Sequence, residues 1–165
     1  MIKNDFKLNM LFALTFLVAS CSVNSSQRTA KSPGSRDSNQ IRKDIGHFAK
    51  KHLGTKYKYG GTSPKGFDCS GFTSYIFDHF NIGLSRASHQ QARQGKTVNM
   101  KWAKKGDLLF FGRGGKITHV ALVLENGREG IKVIHSTTSR GVVIDNVSNS
   151  SYWKKRMLFA RNVLN

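Results

Sequence analysis

Gly66-Phe67-Asp68-Cys69-Ser70-Gly71-Phe72 is the stretch on which the fold turns. Ahead of it, Tyr57 to Gly66 (YKYGGTSPKG) is dense in turn formers, and beyond it Phe72, Ile76 and Phe80 recur on one helical face. The spacing predicts a loop that leads into a helix from about Asp68 to Phe80, with Asp68 as its cap and Cys69 in its first turn. The start of a helix carries partial positive charge that favours thiolate over thiol, and thiolate is the nucleophile. A cysteine there is placed to react.

Upstream, Ile41, Ile45, Phe48, Ala49 and Leu53 repeat at helical spacing and predict a helix over 38–53 with Gly54 as its stop. Downstream, residues 87–94 read as a short third helix ending before Gly95. From Asp107 the period changes. Leu108 to Phe111, His119 to Leu124, Ile131 to His135, Val142 to Ile144 and Leu158 to Ala160 are apolar runs separated by Gly, Asn and Ser, the pattern of strands with short connections. Helices first and strands afterward give an α+β domain, with N-terminal helices packed on an antiparallel sheet. Gly112-Arg113-Gly114-Gly115 lies between two of these strands and reads as a hairpin loop, not a phosphate cradle. Asp107 reads as a turn anchor, and Phe110, Phe111, Trp102 and Trp153 as core.

The 165 residues hold 27 Lys+Arg against 9 Asp+Glu, a formal charge of +18, with 38% hydrophobic residues. That mix excludes a disordered chain and a multi-span membrane protein. Two cysteines are too few for a disulfide-stapled miniprotein or a four-thiolate zinc site. The charge calls for anionic surroundings, which in composition alone means nucleic acid, anionic lipid or an acidic surface polymer.

The N-terminal residues narrow this. Lys3 and Lys7 precede the uncharged run Met10 to Ala19 (MLFALTFLVA), which ends in Ser20 and Cys21, the order of a secretory signal. The run is too short for a permanent span, which needs roughly 20 apolar residues. Leu17-Val18-Ala19-Ser20-Cys21 resembles a bacterial lipobox, which implies a signal peptide over 1–20 and a lipoprotein anchored in a bilayer through a fatty-acylated (palmitate-type) Cys21. The other reading is an ordinary secretory signal with Cys21 free or bridged to Cys69. Residues 21–40, rich in Ser and Asn, read as a flexible linker. The folded domain is then 41–165, which keeps 22 of the cations and 7 of the acids, or +15. Export removes nucleic acid as the expected partner.

Cys69, His119 and His135 supply a nucleophile, a base and an orienting group, the two histidines at strand ends that an antiparallel sheet can make neighbours. Taken alone, the same three residues also suit a buried thiol with two packing histidines, or three ligands of a catalytic zinc. Five blocks then carry a resemblance: Tyr57-Lys58-Tyr59-Gly60-Gly61, Gly66 to Phe72, Gly106-Asp107-Leu108-Leu109-Phe110-Phe111, Thr118-His119-Val120-Ala121-Leu122-Val123, and Val133-Ile134-His135-Ser136. In this order they resemble the NlpC-type cell-wall cysteine peptidases, over essentially all of 41–165.

The resemblance implies a papain-like fold and a cell-wall DL-endopeptidase. It implies hydrolysis of peptidoglycan stem peptides, usually between D-γ-glutamate and the following diamino acid, with no cofactor or metal. It makes Cys69 the nucleophile, His119 the base, His135 the third polar residue, and Tyr57 an aid to the oxyanion. It places Arg86, Ser88 and Gln91, with Asp68 and Ser70 beside the nucleophile, toward substrate. A monomer in the cell envelope is expected, held by Cys21 at an outer membrane and facing the periplasm. A non-catalytic envelope-binding lipoprotein of the same fold is the alternative.

Overall fold

The computed structural model describes residues 37–164; Cys21, the signal segment and most of the proposed linker lie outside the described residues. The first helix, α1 (Ser38–Lys50), starts three residues inside the segment read as linker, because Asp37 caps it by accepting from the Asn39 N–H. It ends one turn before Leu53, and Gly54 (φ 79°) lets the chain leave it and pair with strand residue Val142. A two-stranded hairpin follows, β1 (Thr62–Ser63) with β2 (Gly66–Phe67), and then α2 (Cys69–Asp78). The third helix is a single turn, α3 (Ser88–Gln91), shorter than its polar sequence predicted.

The main sheet comprises β3 (Lys96–Val98), β4 (Leu108–Arg113), β5 (Lys116–Gly127), β6 (Gly130–Thr137), β7 (Gly141–Asn146) and β8 (Met157–Asn162). Its order is β3-β8-β4-β5-β6-β7, antiparallel throughout. Gly114 and Gly115, both at positive φ, turn the β4–β5 hairpin as expected. Between β7 and β8 lies the one-turn helix α4 (Ser151–Lys154). The periodicity showed neither α4 nor β3, both too short and polar to leave a hydrophobic pattern.

Because strand side chains alternate, the sheet has two cores. Leu108, Phe110, Val120, Leu122 and Ile134 face α1 and α2, packing on Ile45, Ala49, Phe72 and Ile76. Leu109, Phe111, Ala121, Val123 and Val133 face the opposite way, against Ala160 and the partly buried Trp153 and Met157. Trp102, expected in the core, is 68% exposed. Asp107 is the anchor it was read to be: it pairs with Arg42 (2.8 Å) and accepts from the Lys104 N–H (2.8 Å).

Candidate active site

Asp68 stands at the N-cap of α2 and accepts from the Gly71 N–H (2.7 Å). That fixes Cys69 as the first helical residue, whose own N–H has no partner inside the helix. The helix start is crowded from outside as well. A Cβ on Gly71 would lie 2.0 Å from the Gly61 carbonyl oxygen, so only glycine allows the 57–66 loop to lie this close. The loop is bridged at Tyr57 to Phe67, and the Ser136 hydroxyl donates to the Phe67 carbonyl (2.7 Å), stitching β6 beside His135 to the segment that delivers Cys69.

Cys69, Tyr57 and His119 line one cleft of about 700 Å³, together with Trp153, Arg140 and Asp145 among others. His119 sits in β5 opposite Phe111, next to the point where the β4–β5 register shifts. Its Nε2 is 2.9 Å from Nδ1 of the fully buried His135. His135 Nε2 is in turn 3.0 Å from Asp145 Oδ2. Asp145 also takes the Trp153 indole N–H (3.2 Å) and both terminal nitrogens of Arg140. The result is a continuous chain, His119–His135–Asp145–Arg140. Two ring nitrogens facing each other at hydrogen-bond distance share a proton and do not point at a common ion, which is not how a zinc site uses these histidines.

Asp145 was not anticipated. It lies on an otherwise ordinary strand and reaches His135 only through the β6–β7 register, in which Val133 faces Asp145. Trp153, read as core, does pack on the second core, and it also stacks on His119 (4.8 Å between ring centroids) and packs on His135 (4.9 Å), covering the imidazole pair.

Electrostatics set the resting protonation. Burial pushes the Cys69 thiol up, against the backbone N–H groups of Val120, Ser70 and Cys69, which pull the other way. The thiolate preference read from the helix start is therefore overridden by desolvation in the resting protein. Burial, with a smaller contribution from His135, pushes His119 down to about 3. At neutral pH thiol and imidazole both rest uncharged. Tyr57 is raised, by burial first and by Cys69 second, so its hydroxyl stays protonated and able to donate. Asp145 is held at about 2, chiefly by Arg140, and is ionised throughout the working range.

The five residues read toward substrate divide. Arg86 donates to both carboxylate oxygens of Asp68 and to the Ser70 hydroxyl, forming a bracket next to Cys69. Ser88 opens α3 and is half-buried. Gln91 is fully buried and cannot touch a ligand: its amide nitrogen donates to Ser70 O, Ser74 Oγ and Ser85 O, and its oxygen accepts from Thr73. Its role is to brace α3 against α2, a correction to the sequence reading.

Comparison with known proteins matches residues 54–162 to the NlpC/P60 family. The chain belongs to that family. A gamma-DL-glutamyl hydrolase of Bacillus subtilis is 42% identical over 120 residues, which are 70% of this chain and 28% of that protein. The Escherichia coli murein DD-endopeptidase MepS/murein LD-carboxypeptidase is 38% identical over 112 residues, covering 67% of this chain and 57% of that one. An NlpC/P60 family protein from Bacillus cereus superposes with a TM-score of 0.70 at 34% identity, over 79% of this chain and 44% of that one. The chain thus spans less than two thirds of the length of each of these relatives. The α+β, papain-like architecture expected from the sequence is that of NlpC/P60 domains.

Proposed function

We propose that this NlpC/P60 protein is a peptidoglycan hydrolase that cleaves stem peptides, at the D-γ-glutamyl–diamino acid bond, through an acyl-enzyme on Cys69. The observation that carries the reading is a cysteine at the first position of α2 sharing a cleft with an imidazole whose other nitrogen is hydrogen-bonded to a buried histidine. Relatives named as a gamma-DL-glutamyl hydrolase and a murein endopeptidase support the substrate class.

In this mechanism His119 takes the thiol proton as Sγ attacks the stem carbonyl, so charge separates only when substrate is present. The Cys69 N–H and the Tyr57 hydroxyl stabilise the oxyanion. His119 then protonates the leaving amine, and a water activated by the same imidazole releases the acyl group. His135 and Asp145 hold His119 in the tautomer and orientation this requires, and the ionised Asp145 offsets the positive charge that builds on the pair. Arg86, Asp68 and Ser70, bonded to one another beside Cys69, and Ser88 at the start of α3 are assigned in this reading to the acyl side of the substrate. Acylation at Cys21 would hold the domain at an envelope membrane, the outer one in a two-membrane cell.

The test is digestion of purified sacculi by the protein and by Cys69→Ala, with products identified by mass. New amino termini at the diamino acid that disappear in Cys69→Ala are expected. Binding to sacculi without new termini, or cleavage that survives Cys69→Ala in a folded protein, overturns the proposal.

A further inference from the structure

Beyond His119 the cleft continues to Arg156, in the turn between α4 and β8. Its backbone is fixed by the Gly112 N–H, which donates to the Arg156 carbonyl (2.8 Å). Its guanidinium sits over the Tyr152 ring, with Cζ 3.7 Å from the centroid, and Nη1 donates to the Tyr152 carbonyl (2.7 Å). A stacked guanidinium with one nitrogen tethered has lost most of its rotamer freedom before any ligand arrives. The Nε–Nη2 edge remains for two parallel hydrogen bonds.

Two arginines line this cleft, and they differ in one respect. Arg140 is neutralised by Asp145. Arg156 has no carboxylate partner among the described residues. The same cleft is also lined by hydroxyls, those of Thr138, Ser139 and Ser150. A preorganised, unpaired guanidinium in a hydroxyl-lined cleft suits a carboxylate.

The position says which carboxylate. His119 gives its proton to the leaving amine, so the amine-side residue of the substrate lies over His119. Trp153 stacks on His119, and Tyr152 and Arg156 flank Trp153 in the chain. We propose that Arg156, held by Tyr152, is a subsite for a free carboxylate on the residue that leaves as the amine. This rests on the peptidase reading above and adds a preference within it, for stems that end at or near the cut.

The test uses synthetic stem tripeptides ending in meso-diaminopimelate or L-lysine, each with every carboxylate on that last residue free or amidated. The unaltered protein is expected to show a kcat/KM about tenfold or more higher for the free acid, the factor one good ionic contact supplies. Arg156→Gln lowers the rate on the free acid and closes the gap; Tyr152→Leu, which removes the stack, narrows it. Equal rates on acid and amide by the unaltered protein overturn the subsite and leave the peptidase reading standing. A gap that persists in both variants does the same. Failure of the unaltered protein to cut any of these stems overturns the peptidase reading and the subsite together.

Discussion

His119 Nε2 and His135 Nδ1 face each other at 2.9 Å, and the far nitrogen of His135 meets Asp145 at 3.0 Å. An ionised carboxylate at the end of this chain fixes His135 with its proton on Nε2, so its Nδ1 accepts from His119 Nε2. His119 is thereby left with a bare Nδ1, the nitrogen able to act as base.

Removing the carboxylate's charge while keeping its shape tests that logic. Asp145→Asn is expected to lower kcat by about tenfold to a hundredfold with little change in KM, less than or at the lower end of the 10²–10⁴ that general base catalysis contributes, because the base itself stays in place. Arg140→Gln, which leaves the carboxylate in place, costs less. Steady-state kinetics on a stem peptide decide it: a fall confined to KM, or a larger loss in Arg140→Gln than in Asp145→Asn, contradicts the positioning role.

Cys69 reactivity is expected to follow its raised pKa. In the absence of substrate, the rate of alkylation by iodoacetamide climbs with pH through and beyond the ordinary thiol range, because burial disfavours the thiolate. A flat, pH-independent rate between pH 5 and 7 would mean a preformed thiolate–imidazolium pair. His119→Ala is expected to leave the alkylation profile nearly unchanged while abolishing turnover.

Tyr57 is the oxyanion donor most easily isolated from folding. Tyr57→Phe removes one hydroxyl from a half-buried ring and is expected to cost about 10²-fold in kcat, the loss typical of one oxyanion donor. A thermal midpoint close to that of the unaltered protein, alongside that loss, assigns the effect to the transition state. Unchanged kcat removes Tyr57 from the mechanism.

What the sequence made legible was periodic or local. The amphipathic helices, five apolar strands and a cysteine behind a capping aspartate all leave signals within a few residues of one another. Asp145 leaves none, since a carboxylate on a half-buried strand is ordinary until strand register puts it against a histidine ten residues away. Gln91 shows the converse: the resemblance reads it toward substrate, and only packing reveals four internal hydrogen bonds. Replacing it with Leu removes these bonds and leaves the Thr73 and Ser74 hydroxyls only their backbone acceptors, Ser70 O and Ser85 O, a cost of about 1–3 kcal/mol in stability with little effect on the kcat of the protein that remains folded. Chemical denaturation beside active-site titration separates the two.

Stability should depend on pH through histidines held neutral. His119 is lowered from 6.5 to about 3, and His135 and His52 are lowered too, each mainly by burial. Below pH 6.5 the unfolded chain takes up protons that the folded chain refuses until far lower pH. Folding free energy is therefore undiminished above about pH 6.5 and falls as pH drops toward 3. Asp145, held at about 2 against an ordinary 3.8, adds a further loss only below 3.8. The thermal midpoint is expected to be level from pH 8 to 7 and to decline steadily toward pH 4.5. His52 offers the control: its Nε2 is buried without a protein partner among the described residues, and its ring packs edge-on against Phe48 and Tyr75. His52→Phe keeps that packing and removes one titrating group, so its decline is expected to be shallower. A midpoint that stays level down to pH 5 in the unaltered protein would show that these imidazoles are protonated in the fold at little cost.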